Sequence, residues 1–188
     1  MRRAAGLFLL ALTPVWAQIA KPAALTAPTV APKPAPRLSG STLGELEKTF
    51  DSRLATLAGP NADPNEFVEL MGDTRGLQLL DYGLVFTADV SLVKTPSINP
   101  FQKEIPKSVQ DRVHQRRVER LPLLKEAMKE MLHNMAAAGA QLPATQQLVL
   151  SVRLYYGTWE NTAGMPAEVL MRATRTNAAA GTVETEER

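Results

Sequence analysis

The chain has 188 residues, 21 of them lysine or arginine and 19 aspartate or glutamate, and it contains no cysteine. The missing cysteine excludes disulfides, thiolate catalysis, cysteine-ligated zinc and a lipidated N-terminal cysteine. Arg2 and Arg3 fall in an N-terminal leader, so the rest of the chain carries 19 basic and 19 acidic residues, without the net positive field on which nucleic-acid binding rests.

Residues 1–17 read as a secretory signal peptide. Arg2 and Arg3 precede an apolar run from Ala4 to Thr13 that is too short to span a bilayer, and the segment VWA ends at Ala17, where cleavage is expected. No transmembrane segment is expected after cleavage, and the destination is the periplasm or the medium. Residues 18–40 form a Pro-rich spacer: Pro22, Pro28, Pro32, Pro34 and Pro36 alternate with Ala, Thr and Val, which favours extended, semi-rigid polyproline II.

A single domain is expected over residues 41–174, long enough to bury a core without disulfides. Ser41 to Gly59 reads as a helix capped by Ser41 or Thr42, with Leu43, Leu46, Phe50, Leu54 and Leu57 on a narrow seam and Gly59-Pro60 as its stop. Arg75 to Val93 reads as a β-hairpin. Leu84, Phe86, Ala88, Val90 and Leu92 alternate with a more polar set, and Gly83 takes the left-handed turn position or a bulge.

Pro96, Pro100 and Pro106 mark a loop over Lys94 to Lys107, and Ser108 to Ala138 reads as a long helix capped by Ser108. Gln147 to Trp159 is a strand with Leu148, Leu150, Val152, Leu154 and Tyr156 on one face. Ala167 to Thr174 is the last strand, and residues 175–188 lack an apolar pattern and are expected to be disordered. The resulting fold class is α+β: a four-stranded, mainly antiparallel sheet built hairpin–long helix–hairpin, with the long helix across one face and a shorter N-terminal helix.

The segments YGLVFTADVSLV, HQRRVERLPLLKEAMKEML and LVLSVRLYYGTWENTAGMPAEVLMRATR resemble a group of uncharacterised exported bacterial proteins with no assigned activity. The resemblance covers roughly residues 72–175. It implies an envelope address and a single domain, and it assigns no functional residue.

No catalytic constellation emerges. The pentapeptide around Thr42 lacks both the serine and the strand-to-helix context of a nucleophile elbow. His114 and His133 stand about 28 Å apart on one continuous helix and cannot share a metal. Glu126 and Glu130 alternate with Lys125 and Lys129 as on a solvated helix face. Neither a cofactor nor a metal is expected.

Two groups stand out as candidate binding residues. Arg117 and Arg120 fall inside the apolar arc of the long helix, among Val113, Leu121, Leu124 and Met128, while Pro122 points away from it. A helix about 46 Å long overhangs strands about 33 Å long, so both arginines are expected beyond the sheet edge. There they pair with Asp89, Glu119 or Glu160, or with an acidic partner. Tyr155 and Trp159 share with Val149 the strand face opposite Tyr156, a face that needs a cover from the N-terminal helix or a partner. The function expected on these grounds is a non-enzymatic interaction or assembly module of the cell envelope, meeting an envelope protein or a second copy of itself. The alternative is an envelope enzyme or small-ligand binder with a pocket between helix and sheet near Tyr156 or His114.

Overall fold

The computed structural model describes residues 36–58, 67–94 and 105–188. The expected signal peptide, most of the expected spacer, the expected stop at Gly59-Pro60 and the centre of the expected loop lie outside them. Helix α1 runs from Gly40 to Ala55. Its cap is Ser39, not Ser41 or Thr42: the Ser39 hydroxyl accepts from the Thr42 N–H at 3.1 Å, one of the amides a helix start leaves unpaired. Leu46, Phe50 and Leu54 bury the expected seam.

Strands β1 (Glu69–Leu70), β2 (Arg75–Leu79) and β3 (Gly83–Ser91) follow. The β2–β3 hairpin is formed as its alternation predicts. Asp81 takes the left-handed turn position (φ 61°), whereas Gly83 sits at φ 144° at the start of β3. A Cβ at Gly83 would lie 1.8 Å from the Gln147 carbonyl oxygen.

Helix α2 spans Lys107–Ala138. It starts from Pro106 with no side-chain cap, so Ser108 does not serve as one. The Pro106 carbonyl instead accepts from the Val109 and Gln110 amides. Then come β4 (Gln147–Leu154), β5 (Glu168–Thr174), α3 (Arg175–Ala179) and β6 (Glu184–Glu187).

The architecture is α+β, as expected, but the sheet is mixed and has six strands where four, mainly antiparallel, were expected. Six strands are arranged β1-β3-β4-β5-β6, with β2 also on β3. The hairpins meet through a parallel β3–β4 pair, because a helical crossover returns the chain to the end at which β3 began. Every other pairing is antiparallel. The strand expected to reach Trp159 stops at Leu154.

The expectation of a disordered tail is also corrected. Residues 175–179 form α3, whose Ala178 is buried, and residues 184–187 pair with β5. This pairing is made by backbone groups, which leave no apolar period to read. Lys125–Glu187 (2.6 Å) and Arg172–Glu184 (2.8 Å) ion pairs hold it laterally.

One core joins Leu46, Phe50 and Leu54 of α1 to Leu124, Met128, Met131 and Met135 of α2 and to the alternate residues of β3, β4 and β5. Helix α1 lies over β1 and β2, and α2 lies over β4 and β5. Both helices therefore cover the same sheet face, and α1 does not screen the other. Among the described residues no helix is long and apolar enough to cross a membrane.

Two glycine substitutions separate backbone constraint from helix propensity. Gly83→Ala should cost about 3 kcal/mol or more, since its Cβ meets a fixed backbone oxygen at a positive φ. Gly44→Ala, inside α1 with nothing within 4 Å of the new methyl, should stabilise by about 0.5–1 kcal/mol. Urea unfolding of both variants checks the pair, and equal effects would contradict the assignment.

Candidate functional site

The apolar arc of α2 determines where its arginines go. A side chain inside that arc must enter the interface with the sheet, and Arg117 is completely buried there while Arg120 is 6% exposed. Arg116, one residue off the arc, stays in solvent and pairs with Glu119 at 3.0 Å. The expectation that Arg117 and Arg120 project beyond the sheet edge is thus corrected: the chain that follows β4 folds back over that half of the helix and carries Glu160 to it.

Arg117 and Glu160 form a buried ion pair. Arg117 Nη2 donates to Glu160 Oε1 at 2.9 Å and to Ser91 Oγ at 3.1 Å. Arg117 Nε lies 2.5 Å from Glu160 Oε2, off the N–H axis, so this contact is ionic without being an aligned hydrogen bond. Glu160 Oε1 also accepts from the Gly157 N–H at 2.7 Å, and Ser91 Oγ donates to the Val93 carbonyl at 2.8 Å. Arg117 Nη1 makes no hydrogen bond, but the guanidinium carbon stands 4.9 Å from the centre of the Tyr156 ring, close enough for a cation–π contact. Arg120 Nη1 donates to the Leu92 carbonyl at 2.6 Å.

Together these bonds tie α2 to the end of β3 and to the turn after β4. Tyr156 completes the cluster. Its hydroxyl donates to the Pro166 carbonyl at 2.6 Å. Burial pushes its pKa up to about 12, and Arg117 opposes the rise.

Little in this cluster can do chemistry. Both guanidinium groups serve the fold and are closed to a partner. His114 Nδ1 faces the Asn161 carbonyl at 2.9 Å. A carbonyl only accepts, so that nitrogen carries the proton. His133 is exposed on the far half of α2. Among the described residues no three carboxylate or imidazole groups could hold a metal together. A groove of about 310 Å³ lies between α1 and α2, floored by Phe50, Ala127 and Met131 and bridged at its rim by Arg53 and Glu130 at 2.8 Å. It offers room for an apolar side chain and no reactive group.

The other candidates separate. Tyr155 continues the line of β4, its N–H donating to the Val90 carbonyl at 2.8 Å, and is exposed on the uncovered sheet face. There its hydroxyl, followed by the Asp89 carboxylate, favours the charged form of Arg153. Trp159 lies beyond the strand in the turn closed by Glu160 N–H to Gly157 O at 3.0 Å. It is half-buried, so the two aromatics do not form one strand surface.

Sequence reasoning placed Tyr155 and Val149 on a face that needs a cover, but it missed that Leu77 and Val85 belong to the same surface. Leu77, Val85 and Val149 are register partners across three strands of it. Leu77 is 58% exposed and Leu79 42%. The signal was present as the spacing of Leu77, Leu79 and Val85, but it reads as hairpin packing until the helices are placed.

Comparison with known proteins gives no relative: no protein-family model, curated protein or solved structure matches the chain.

Removing one member of the buried pair strands the other. Arg117→Met should destabilise the domain by about 3–5 kcal/mol, and Arg117→Met with Glu160→Leu should recover most of that loss. Denaturant unfolding measures both, and a double variant no better than the single one would contradict the account. Alkali gives a second check. Unfolded Tyr156 ionises near the ordinary phenol value of 10.0, and folded Tyr156 near 12. Its contribution to stability is therefore complete below about pH 10 and is lost as pH rises to about 12. Ultraviolet titration should show one tyrosine ionising in that upper range.

Proposed function

We propose that this is an exported cell-envelope protein whose domain acts as a non-enzymatic interaction or assembly module held out on a Pro-rich spacer. One observation carries the reading: both helices cover the same sheet face, leaving Leu77, Val85, Val149 and Tyr155 on the other side. A sheet face with aligned aliphatic side chains and an exposed tyrosine is a surface on which a partner gains by excluding water.

The leader at residues 1–17 and the resemblance to exported proteins without assigned activity support the address. The reading involves no cofactor, metal or nucleic acid. The competing idea of a helix–sheet pocket draws no support from the cluster near Tyr156. There Glu160 and Ser91 engage Arg117, and the Leu92 carbonyl engages Arg120.

Two measurements test this proposal. N-terminal sequencing of the protein from a periplasmic or secreted fraction should begin at Gln18, and an intact Met1 confined to the cytosol would refute export. A photo-crosslinking residue at Tyr155 should give an adduct in intact cells, while one at Leu123, exposed on the outer side of α2, should not. Equal yields at the two positions would refute the docking face.

A further inference from the structure

The uncovered face has a definite composition, set by strand register. Its central row is Arg75–Thr87–Ser151–Leu170–Glu186. Toward the ends of β3 and β4, Asp89, Arg153 and Glu168 face one another. Arg153 and Asp89 approach to 3.7 Å, and Arg188 reaches Glu168 at 3.8 Å and Glu186 at 2.9 Å. On the other side of the central row lie Leu77–Val85–Val149, then Arg172 paired with Glu184 at 2.8 Å.

Two properties follow. Over β2 to β6 the acids and bases of this face balance, four of each, and all but Arg75 engage one another along or across the strands; β1 adds the single acid Glu69. A strongly charged partner such as a basic peptide, an anionic surface or a polyanion therefore finds an excess of only one acid to meet. What remains unmatched is the aliphatic row, flanked by Leu79 and Leu170. A partner that fits must be neutral over the same extent and must carry an aliphatic row of its own.

The second property is size. Five strand positions at about 4.8 Å and eight residues at about 3.3 Å give roughly 600 Å² of face per partner. Two such faces reach about 1,200 Å², the lower edge of a specific interface. The β6 edge of the sheet offers a worse route to self-association, because it presents Glu184, Glu186 and Glu187 and would set acid against acid.

We propose that this face is occupied by a second copy of the chain, packed sheet to sheet about a two-fold axis, with the row Leu77–Val85–Val149 at the centre of the contact. The proposal rests on the reading of the open face as a docking surface and names its occupant. Such a contact is isologous, so each aliphatic row meets its own copy. The charged ladder toward Asp89 and Arg153 stays at the wet rim. The product is a four-layer sandwich with helices on both outer faces.

Sedimentation equilibrium of the purified full chain over a concentration series tests this. The expected result is a reversible dimer, with Val149→Glu shifting the protein to monomer and Leu123→Glu leaving the dimer unchanged. If Val149→Glu loses its fold by circular dichroism, Leu77→Glu replaces it, since Leu77 is already 58% exposed and tolerates charge in the free domain. A monomer at every concentration overturns the proposal, as does a dimer indifferent to both glutamates.

Crosslinking from Leu79, beside the aliphatic row and 42% exposed, separates the two levels in intact cells. An adduct with a different protein, or with residues 18–35 of the same chain, refutes self-association and leaves the docking face standing. A monomer with no adduct removes both.

Discussion

Helix α2 carries the chain from beyond the end of β3 back to the level at which β3 began, so the strand that follows must lie parallel to it. That crossover places β3 and β4 side by side in register from Gly83 and Gln147 to Val90 and Leu154. It also commits the longest apolar face of the chain to one side of the sheet. A second helix can then bury its seam against α2 and the adjoining strands at little further cost, and α1 does so through Leu46, Phe50 and Leu54. The one-sided sheet is a consequence of that arrangement, because no helix among the described residues remains to cover the other face.

The N-terminal half of α2 needs a different anchor, since its arc holds two arginines where leucines would otherwise stand. Arg117 meets Glu160, Ser91 and the Tyr156 ring, and Arg120 meets the Leu92 carbonyl. A buried pair of this kind adds little net stability over an apolar replacement, because desolvation offsets the attraction. It does select one arrangement of the turn after β4, since only Glu160 at that position neutralises the buried guanidinium group. Arg117 is thus a device for positioning the β4–β5 connection, and its removal costs far more than its presence contributes.

Much of this was legible in the residues. Alternation over Leu84 to Leu92 and over Leu148 to Leu154 located the central strands and their buried faces. The arc of α2 put Arg117 and Arg120 on the helix's apolar side, and Glu160 was among their expected partners. Other features left no side-chain period. Strand β6 is held by backbone pairing and exposed ion pairs, so Glu184 to Glu187 look like a solvated tail. The cap at Ser39 and the parallel β3–β4 pair depend on where neighbouring elements end. The arginines were misplaced because comparing helix and strand lengths ignored the connection after β4, which extends the covered surface beyond the strand ends. For the candidate surface, Tyr155 and Val149 were identified, and Leu77 and Val85 were not. Leu77 and Val85 become a surface only once both helices occupy the opposite face.

The docking face is the central claim, and side-chain footprinting tests it most directly. Carbene labelling followed by mass spectrometry would compare Leu77, Leu79 and Tyr155 in intact cells and in dilute purified protein, with Val118 and Leu123 on α2 as exposed references. The account predicts strong protection of the three sheet positions in cells and unchanged labelling of the two helix positions. Equal labelling of the sheet face in both settings would contradict it.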